Sequence, residues 1–357
     1  MRIVHLNPFY YPYTGGIEHR IHNVSKLLAG DHQVFVVTGR LPQTEEREEM
    51  DGYRVIRLPS RLIDLYNPPY IGSEGIEETL EELDPDLVDF HYRWAPSYTR
   101  AMRRFTGRKV FTYHNTFGEG KGAMAPLSHL NDLLQSRFLK GFDRVVCVSD
   151  FVRQDLRSRG FPDHLLSTVP NGVDSPREVP DGEEDFLLFL GRLVSLKGLH
   201  ILIESMRLVD SRLIIAGSGP EERRLGRLVV KHGLEDRVEL KGRVSEEEKE
   251  RLLSSCKMFV LPSLSEAYGI AAAEAMAYGK PVVASSVGGL PEVVGDAGVL
   301  VPPRDPGSLA RAIRELQDDP DLRHRLGRRA RERAMLYSWE RVAKEMESLY
   351  REVVEDR

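Results

Sequence analysis

Short apolar runs alternate with helical patterns along almost the whole chain, and few folds accommodate that alternation. Such a run, flanked by helical stretches, reads as a strand buried on both faces of a parallel sheet whose helices form the crossovers. Residues 3–6, 33–37, 53–58, 87–90, 110–113 and 144–148 make one series. The first helix of that series carries Ile17, Ile21, Val24, Leu27 and Leu28 on one face. A second series begins with FLLFL at Phe186 and continues through RLIIA, VEL, MFVLP, PVVA and GVLV. Its helices are expected near 198–208, 220–231, 246–255, 270–278 and 306–316. The stretch SPREVPDGEED from Ser175 is polar, holds two prolines and has no periodicity, so it reads as a linker. The fold class is therefore α/β with two Rossmann-like halves, 1–180 and 181–337. Tyr337, Trp339, Val342, Met346, Leu349 and Tyr350 then form an apolar face at helical spacing. This helix, 338–357, follows the completed second sheet and is expected to pack back on the first half.

Composition excludes several classes. A chain of 357 residues supports two cores, and 29% charged with 41% hydrophobic residues is globular. A net charge of -5 argues against a dedicated nucleic-acid binder. Cys147 and Cys256 both sit in apolar runs, as core residues of a reducing compartment do, and no CxxC or HExxH pattern offers a zinc site. The start, MRIVHLNPFYY, has no apolar leader region and no run approaches a membrane span, so a cytoplasmic location is expected.

The informative polar residues fall where parallel strands should end, which is where open α/β sheets bind ligands. His114 and Asn115 follow one run, Arg192 follows FLLFLG, Gly217, Ser218 and Gly219 follow RLIIA, and Glu266 follows MFVLPS. A guanidinium at a strand end, with the Lys197 ammonium at the opening of the next helix, suits a diphosphate. In FVLPSLSEAYGIAAAEAMAYG, Pro262 ends the strand, Gly269 permits close backbone approach and alanines surround Glu274. Glu266 and Glu274 are carboxylates that can each accept hydrogen bonds from two vicinal hydroxyls. Gly15 and Gly16 precede a helix and suit a loop approaching a phosphate or sugar.

These residues carry a resemblance. The Gly15-Gly16 loop with Glu18 and His19, His114 after a strand, NGVD, Gly191-Arg192-Leu193 before Lys197-Gly198, AGSGPE, the GRV at 242–244 and the Glu266/Glu274 pair resemble the retaining GT-B glycosyltransferases of family 4. The resemblance implies two facing Rossmann-like domains with a deep inter-domain cleft. It also implies a nucleoside-diphosphate sugar as co-substrate, no other cofactor, no metal, and a hydroxyl acceptor on a glycan, a lipid or a small molecule. Carried over to this chain, Arg192 and Lys197 hold the donor diphosphate and Glu274 the ribose. Glu266 and the backbone of Tyr268, Gly269 and Ile270 hold the transferred sugar, and Arg243 lies by the base. His114 and the Gly15-Gly16 loop reach in from the first domain. A nucleotide-sugar epimerase, a phosphorylase, or a sugar-nucleotide-binding scaffold without turnover shares the two-domain build and is the alternative.

Asp84-Pro85-Asp86 and Asp319-Pro320-Asp321 match a DxD metal motif only superficially and read as turns or helix caps. GSGPEE lacks the third glycine of a dinucleotide fingerprint. Residues 100–109 hold Arg100, Arg103, Arg104, Arg108 and Lys109 with no acid. A solvated helix face accounts for them, and peripheral contact with an anionic membrane is the second expectation they carry. Six arginines between 323 and 333 read as a wet helix.

Overall fold

The computed structural model describes residues 1–357 except 64–69, 93, 117–124, 175, 177–181 and 357; the side chains of 63, 70 and 125–131 also lie outside the description. Most of the expected linker falls in that undescribed set. The chain forms two compact units, Met1–Asn171 with Trp339–Arg357, and Gly172–Ser338. The division falls ahead of the polar stretch because Val173 bridges to Ser338 and its N–H donates to the Tyr337 carbonyl, which draws that segment into the second unit.

In the first unit the order is β1 (Arg2–Leu6), α1 (Gly16–Leu28), β2 (Gln33–Gly39), β3 (Arg47–Met50), β4 (Tyr53–Leu58), β5 (Ser60–Ile63), β6 (Tyr70–Ser73), α2 (Ile76–Leu83), β7 (Leu87–Phe90) and α3 (Pro96–Arg104). Then come β8 (Arg108–Tyr113), α4 (Ala125–Leu139), β9 (Arg144–Cys147), α5 (Asp150–Ser158) and β10 (Leu166–Thr168). The main sheet runs β10-β9-β8-β7-β1-β2-β4-β3, parallel except for β3, and β5 pairs with β6 as a separate antiparallel ribbon. The strand order reverses at β1, which has β2 on one side and β7 on the other, so ligand chemistry is expected past Leu6 and Phe90. The edge strand β3, with sequence REEM, is too polar to signal itself in the sequence. A charged edge strand discourages further pairing, and burial of its neighbour β4 holds it in place.

The second unit continues with β11 (Phe186–Leu190), α6 (Leu199–Ser205), β12 (Arg212–Ala216), α7 (Glu222–Lys231), β13 (Val238–Gly242), α8 (Glu246–Ser255), β14 (Met258–Leu261) and α9 (Ile270–Ala277). Next are β15 (Val282–Ser285), α10 (Leu290–Val294), β16 (Gly298–Val301), α11 (Pro306–Asp318) and α12 (Pro320–Ala334). Its six strands, ordered β13-β12-β11-β14-β15-β16, are all parallel, with the reversal at β11 between β12 and β14. Every residue of β11 and of β14 is buried, as strands covered on both faces must be.

The last helix, α13 (Trp339–Glu355), belongs to the first unit. Trp339, Val342, Met346, Leu349, Tyr350 and Val353 join Ile21, Val24 and Leu28 of α1 in one core. At roughly 1.5–3 kcal/mol for each fully buried large apolar side chain, that face stabilises the first unit by on the order of 10 kcal/mol as an upper bound. Two residues depart from the expected faces. Leu27 points outward at 39% exposure, since it falls a third of a turn away from Ile21, Val24 and Leu28. Tyr337 lies before α13 in a 3-10 turn, Met335–Tyr337, and stacks edge-on against Tyr268 in the second unit.

Candidate active site

The second unit builds a polar cluster at the reversal of its sheet. Beyond β11 the chain passes Arg192 and enters a 3-10 turn, Ser195–Lys197, which ends at Gly198 in the left-handed region, φ 66°. Lys197 therefore precedes the helix, rather than lying in its first turn, because α6 starts only at Leu199. Across the reversal, the chain leaving β14 crosses the same place: the Leu264 N–H donates to the Leu196 carbonyl at 2.7 Å. A Cβ at Gly198 would collide with the Pro262 carbonyl oxygen, so the two loops touch backbone to backbone.

That contact brings Lys197 and Glu266 together. Lys197 Nζ donates to Glu266 Oε2 at 2.6 Å, and Ser263 Oγ donates to the same oxygen at 3.2 Å. Their side chains are 20% and 15% exposed, so the pair is reachable from solvent and still largely sheltered. Glu266 is also held through its backbone: its carbonyl accepts the Gly289 N–H at 3.0 Å, and Gly288 packs against that carbonyl at φ 58°. Shortly past Glu266, Gly269 at φ 107° is the N-cap of α9, with no side chain capping the first N–H groups of the helix, and a Cβ there would lie 3.8 Å from Glu266 Cγ.

Glu274, on α9, accepts a hydrogen bond from Lys249 Nζ of α8 at 3.2 Å, and Lys249 also meets Glu246 at 2.7 Å. Burial opposes the Lys249 charge, yet Glu274 and Glu246 outweigh it and hold the ammonium's pKa above the ordinary lysine value. Reading the sequence missed Lys249 and Ser263. Nothing local marks Lys249, since its partner lies on another helix; a small hydroxyl residue directly after the strand-ending Pro262 was the available signal for Ser263. Gly217, φ 139°, packs on the Gly191 carbonyl, which sets the loops after β12 and β11 against each other, while the Arg192 and Arg243 side chains lie exposed at the ends of β11 and β13. Tyr268 is buried, 4% exposed, so only its backbone can face a ligand.

The first unit carries a second cluster past its own reversal. His5 is buried on β1, Asp89 on β7 and His91 just beyond it, and His114 follows β8. His5 Nδ1 and His91 Nε2 share a hydrogen bond of 3.0 Å, as do His91 Nδ1 and His114 Nε2. Asp89 accepts the Thr112 hydroxyl at 2.9 Å and the Tyr350 hydroxyl at 2.6 Å. Burial lowers the His5 pKa to about 3, assisted by His91, lowers His91 well below the ordinary value, and raises that of Asp89. His5, Asp89 and His91 lie close enough to hold an ion, yet the imidazoles bond each other and the carboxylate is engaged by hydroxyls. Gly15 and Gly16 open α1. Gly15 is extended, φ -158°, so its φ does not require glycine; a Cβ there would press on Glu18 Oε2, whose other oxygen accepts from Asn7 past β1.

The DxD look-alikes are caps. Asp84 ends α2 and the Asp86 carboxylate accepts the Arg2 N–H, while Asp319 caps α12 by accepting the Leu322 N–H at 2.8 Å. Acids from elsewhere in the fold partner the basic run: Arg100 and Arg104 meet Glu77, Arg108 meets Asp143, and Lys109 lies over the Phe142 ring. Arg323 is likewise no wet residue; it is buried and forks onto Glu183.

The family model described as Glycosyltransferase Family 4 matches residues 14–177, and that described as Glycosyl transferases group 1 matches residues 173–333. An uncharacterized glycosyltransferase of Methanocaldococcus jannaschii is 30% identical over 96% of each chain. The chain belongs to the family 4 GT-B glycosyltransferases. This glycosyltransferase is also 29% identical, over 97% of its length and 95% of the relative's, to a GDP-mannose-dependent alpha-(1-6)-phosphatidylinositol dimannoside mannosyltransferase of Mycobacterium tuberculosis. Sucrose-phosphate synthase from Thermosynechococcus elongatus superposes with a TM-score of 0.83 at 26% identity, covering all of both chains. No helix of the glycosyltransferase, among the described residues, is long and apolar enough to cross a membrane.

Proposed function

We propose that this glycosyltransferase moves a hexosyl residue from a nucleoside-diphosphate sugar to a hydroxyl acceptor with retention of anomeric configuration and without a metal ion. The observation that carries the reading is the Lys197–Glu266 pair across the strand-order reversal of the second sheet, with the α9 N-terminus beside it. A cation, a carboxylate and a helix N-terminus converge there. The diphosphate takes Arg192 and Lys197, the sugar hydroxyls take Glu266 and the backbone of Tyr268, Gly269 and Ile270, and the ribose takes Glu274. Gly217, seated on Gly191, sets the loop that meets the nucleotide, and Arg243 serves the base. His114, with the Gly15-Gly16 loop, belongs to the acceptor-side unit, where it positions rather than attacks.

Retention is what the family resemblance implies, and the engagement of the carboxylates favours a same-face attack over a covalent intermediate. Glu266 is tied to Lys197 and Ser263, and Asp89 to Thr112 and Tyr350, so each is occupied as a hydrogen-bond acceptor rather than poised as a nucleophile. The acceptor oxygen then attacks C1 on the face the diphosphate leaves. The C1–O bond to phosphate breaks, the C1–O bond to acceptor forms, and a phosphate oxygen takes the acceptor's proton. Arg192 and Lys197 meet the departing charge, at roughly 1.5–3 kcal/mol for each charge-assisted hydrogen bond. Thermal-shift screening against nucleotide sugars identifies the donor. Proton NMR of the product, run with and without EDTA, is the test: an inverted anomer, or activity abolished by EDTA and restored by a divalent cation, overturns the reading.

The mycobacterial relative named for a phosphatidylinositol dimannoside supports a lipid-linked acceptor. Membrane contact through 100–109 would have to open the pairs with Glu77 and Asp143. Sedimentation with anionic vesicles at low salt decides it; protein left in the supernatant removes that contact.

A further inference from the structure

We infer that His5 and His91 are positioning residues that fix the tautomer of His114, through a chain of three hydrogen-bonded imidazoles running from the buried Asp89 to the end of β8. The two links are equal in length, His5 Nδ1 to His91 Nε2 and His91 Nδ1 to His114 Nε2, each 3.0 Å. The inference concerns how His114 is held and rests on the role given to it above only for its consequence in catalysis.

A neutral imidazole donates from one nitrogen and accepts at the other, so the chain has two consistent directions. Running inward, His114 donates to His91 and His91 donates to His5, which places the last proton on His5 Nε2. That atom is buried and has no hydrogen-bond partner among the described residues. An orphaned buried N–H is rare because nothing repays its lost hydration. Running outward, His5 Nδ1–H donates to His91 Nε2, and His91 Nδ1–H donates to His114 Nε2. Asp89 Oδ2 lies 4.0 Å from His5 Nδ1 and 3.7 Å from His91 Nε2, so it faces the shared proton in either direction, and the buried His5 Nε2 makes the choice. Asp89 is oriented in turn by the Thr112 and Tyr350 hydroxyls, so α13 reaches the relay as well. The outward direction leaves one nitrogen of His91 protonated toward His114, and His114 keeps its own proton on Nδ1.

Histidine 15N NMR on the full-length chain at neutral pH reads this directly, with the His114 signals assigned by their loss in His114→Gln. The expected result is an Nδ1-protonated His114 in the wild type, and a shift toward Nε2–H in His91→Phe, which removes the donor. Turnover in His91→Phe is expected to fall roughly ten- to a hundredfold with little change in donor KM, the range typical when an outer partner orienting a histidine is lost. His91→Gln, which keeps an N–H donor, is expected to recover part of the loss. An Nε2–H tautomer of His114 in the wild type, stoichiometric metal in the purified protein, or equal losses in the two His91 variants with unchanged His114 signals would overturn the inference. Should His114→Ala retain full turnover, the role assigned to His114 fails while the tautomer measurement still decides the relay.

Discussion

Lys197 and Glu266 are coupled at 2.6 Å, and each is expected to matter for a different reason. In the proposed role, Lys197→Ala removes charge from beside the leaving diphosphate, and it loses little core volume. Turnover should fall by about ten- to a hundredfold or more, equivalent to the roughly 1.5–3 kcal/mol of one charge-assisted contact, while the thermal midpoint moves little. Steady-state kinetics beside a thermal melt check this, and near wild-type turnover would contradict the site. Lys249 sits one step further out. It holds Glu274, so, with Glu274 in its proposed role at the ribose, Lys249→Met is expected to raise the donor KM several-fold with a smaller effect on kcat, because ground and transition state lose that binding alike. A pure kcat effect would remove Glu274 from ribose binding.

The loops after the second sheet's strands work as a set because their backbones touch. Gly198 rests on Pro262, Gly217 on Gly191 and Gly288 on Glu266. Gly288→Ala adds a Cβ at φ 58° against the Glu266 carbonyl, where no side chain can swing aside. It should cost about 1–3 kcal/mol and lower turnover by displacing Glu266. Denaturant melts and kinetics of this variant check both effects; unchanged stability and turnover would show the loop apposition to be loose. The charged run at 100–109 shows the reverse lesson for an element read alone. Its acids, Glu77 and Asp143, come from α2 and from the turn before β9, so a segment that reads as uniformly basic is partly compensated in the fold.

Acid stability is a property of the whole chain that traces to the first unit. His5 and His91 have folded pKa values below the unfolded value of about 6.5, so they stabilise the fold above that value and lose this contribution as pH falls toward the folded value, about 3 for His5. Asp89 acts in the opposite sense, since its raised folded pKa keeps a proton that the unfolded chain releases. A net loss of stability is expected as the pH falls from about 6 to about 4, with Asp89 opposing part of it. Urea melts across that range measure it, and His5→Gln should flatten the slope. Stability that does not fall over this range would contradict the lowered His5 and His91 values.

The alternation of apolar runs with helices carried the two Rossmann-like halves, because a parallel sheet buried on both faces needs contiguous hydrophobic strands and long crossovers, and both are local patterns. The placement of Arg192, Lys197 and Glu266 past strand ends was readable for the same reason. Other features depend on chain segments far apart in sequence. Lys249 meets Glu274, Ser263 and Lys197 meet Glu266, and Tyr350 of α13 reaches Asp89 across 261 residues of chain. The β3 edge is held by its neighbour and not by its own composition. Hydrophobic periodicity is written residue by residue, whereas the partner of a buried charge or an imidazole is chosen by whichever elements the packing of the sheet brings to the same end.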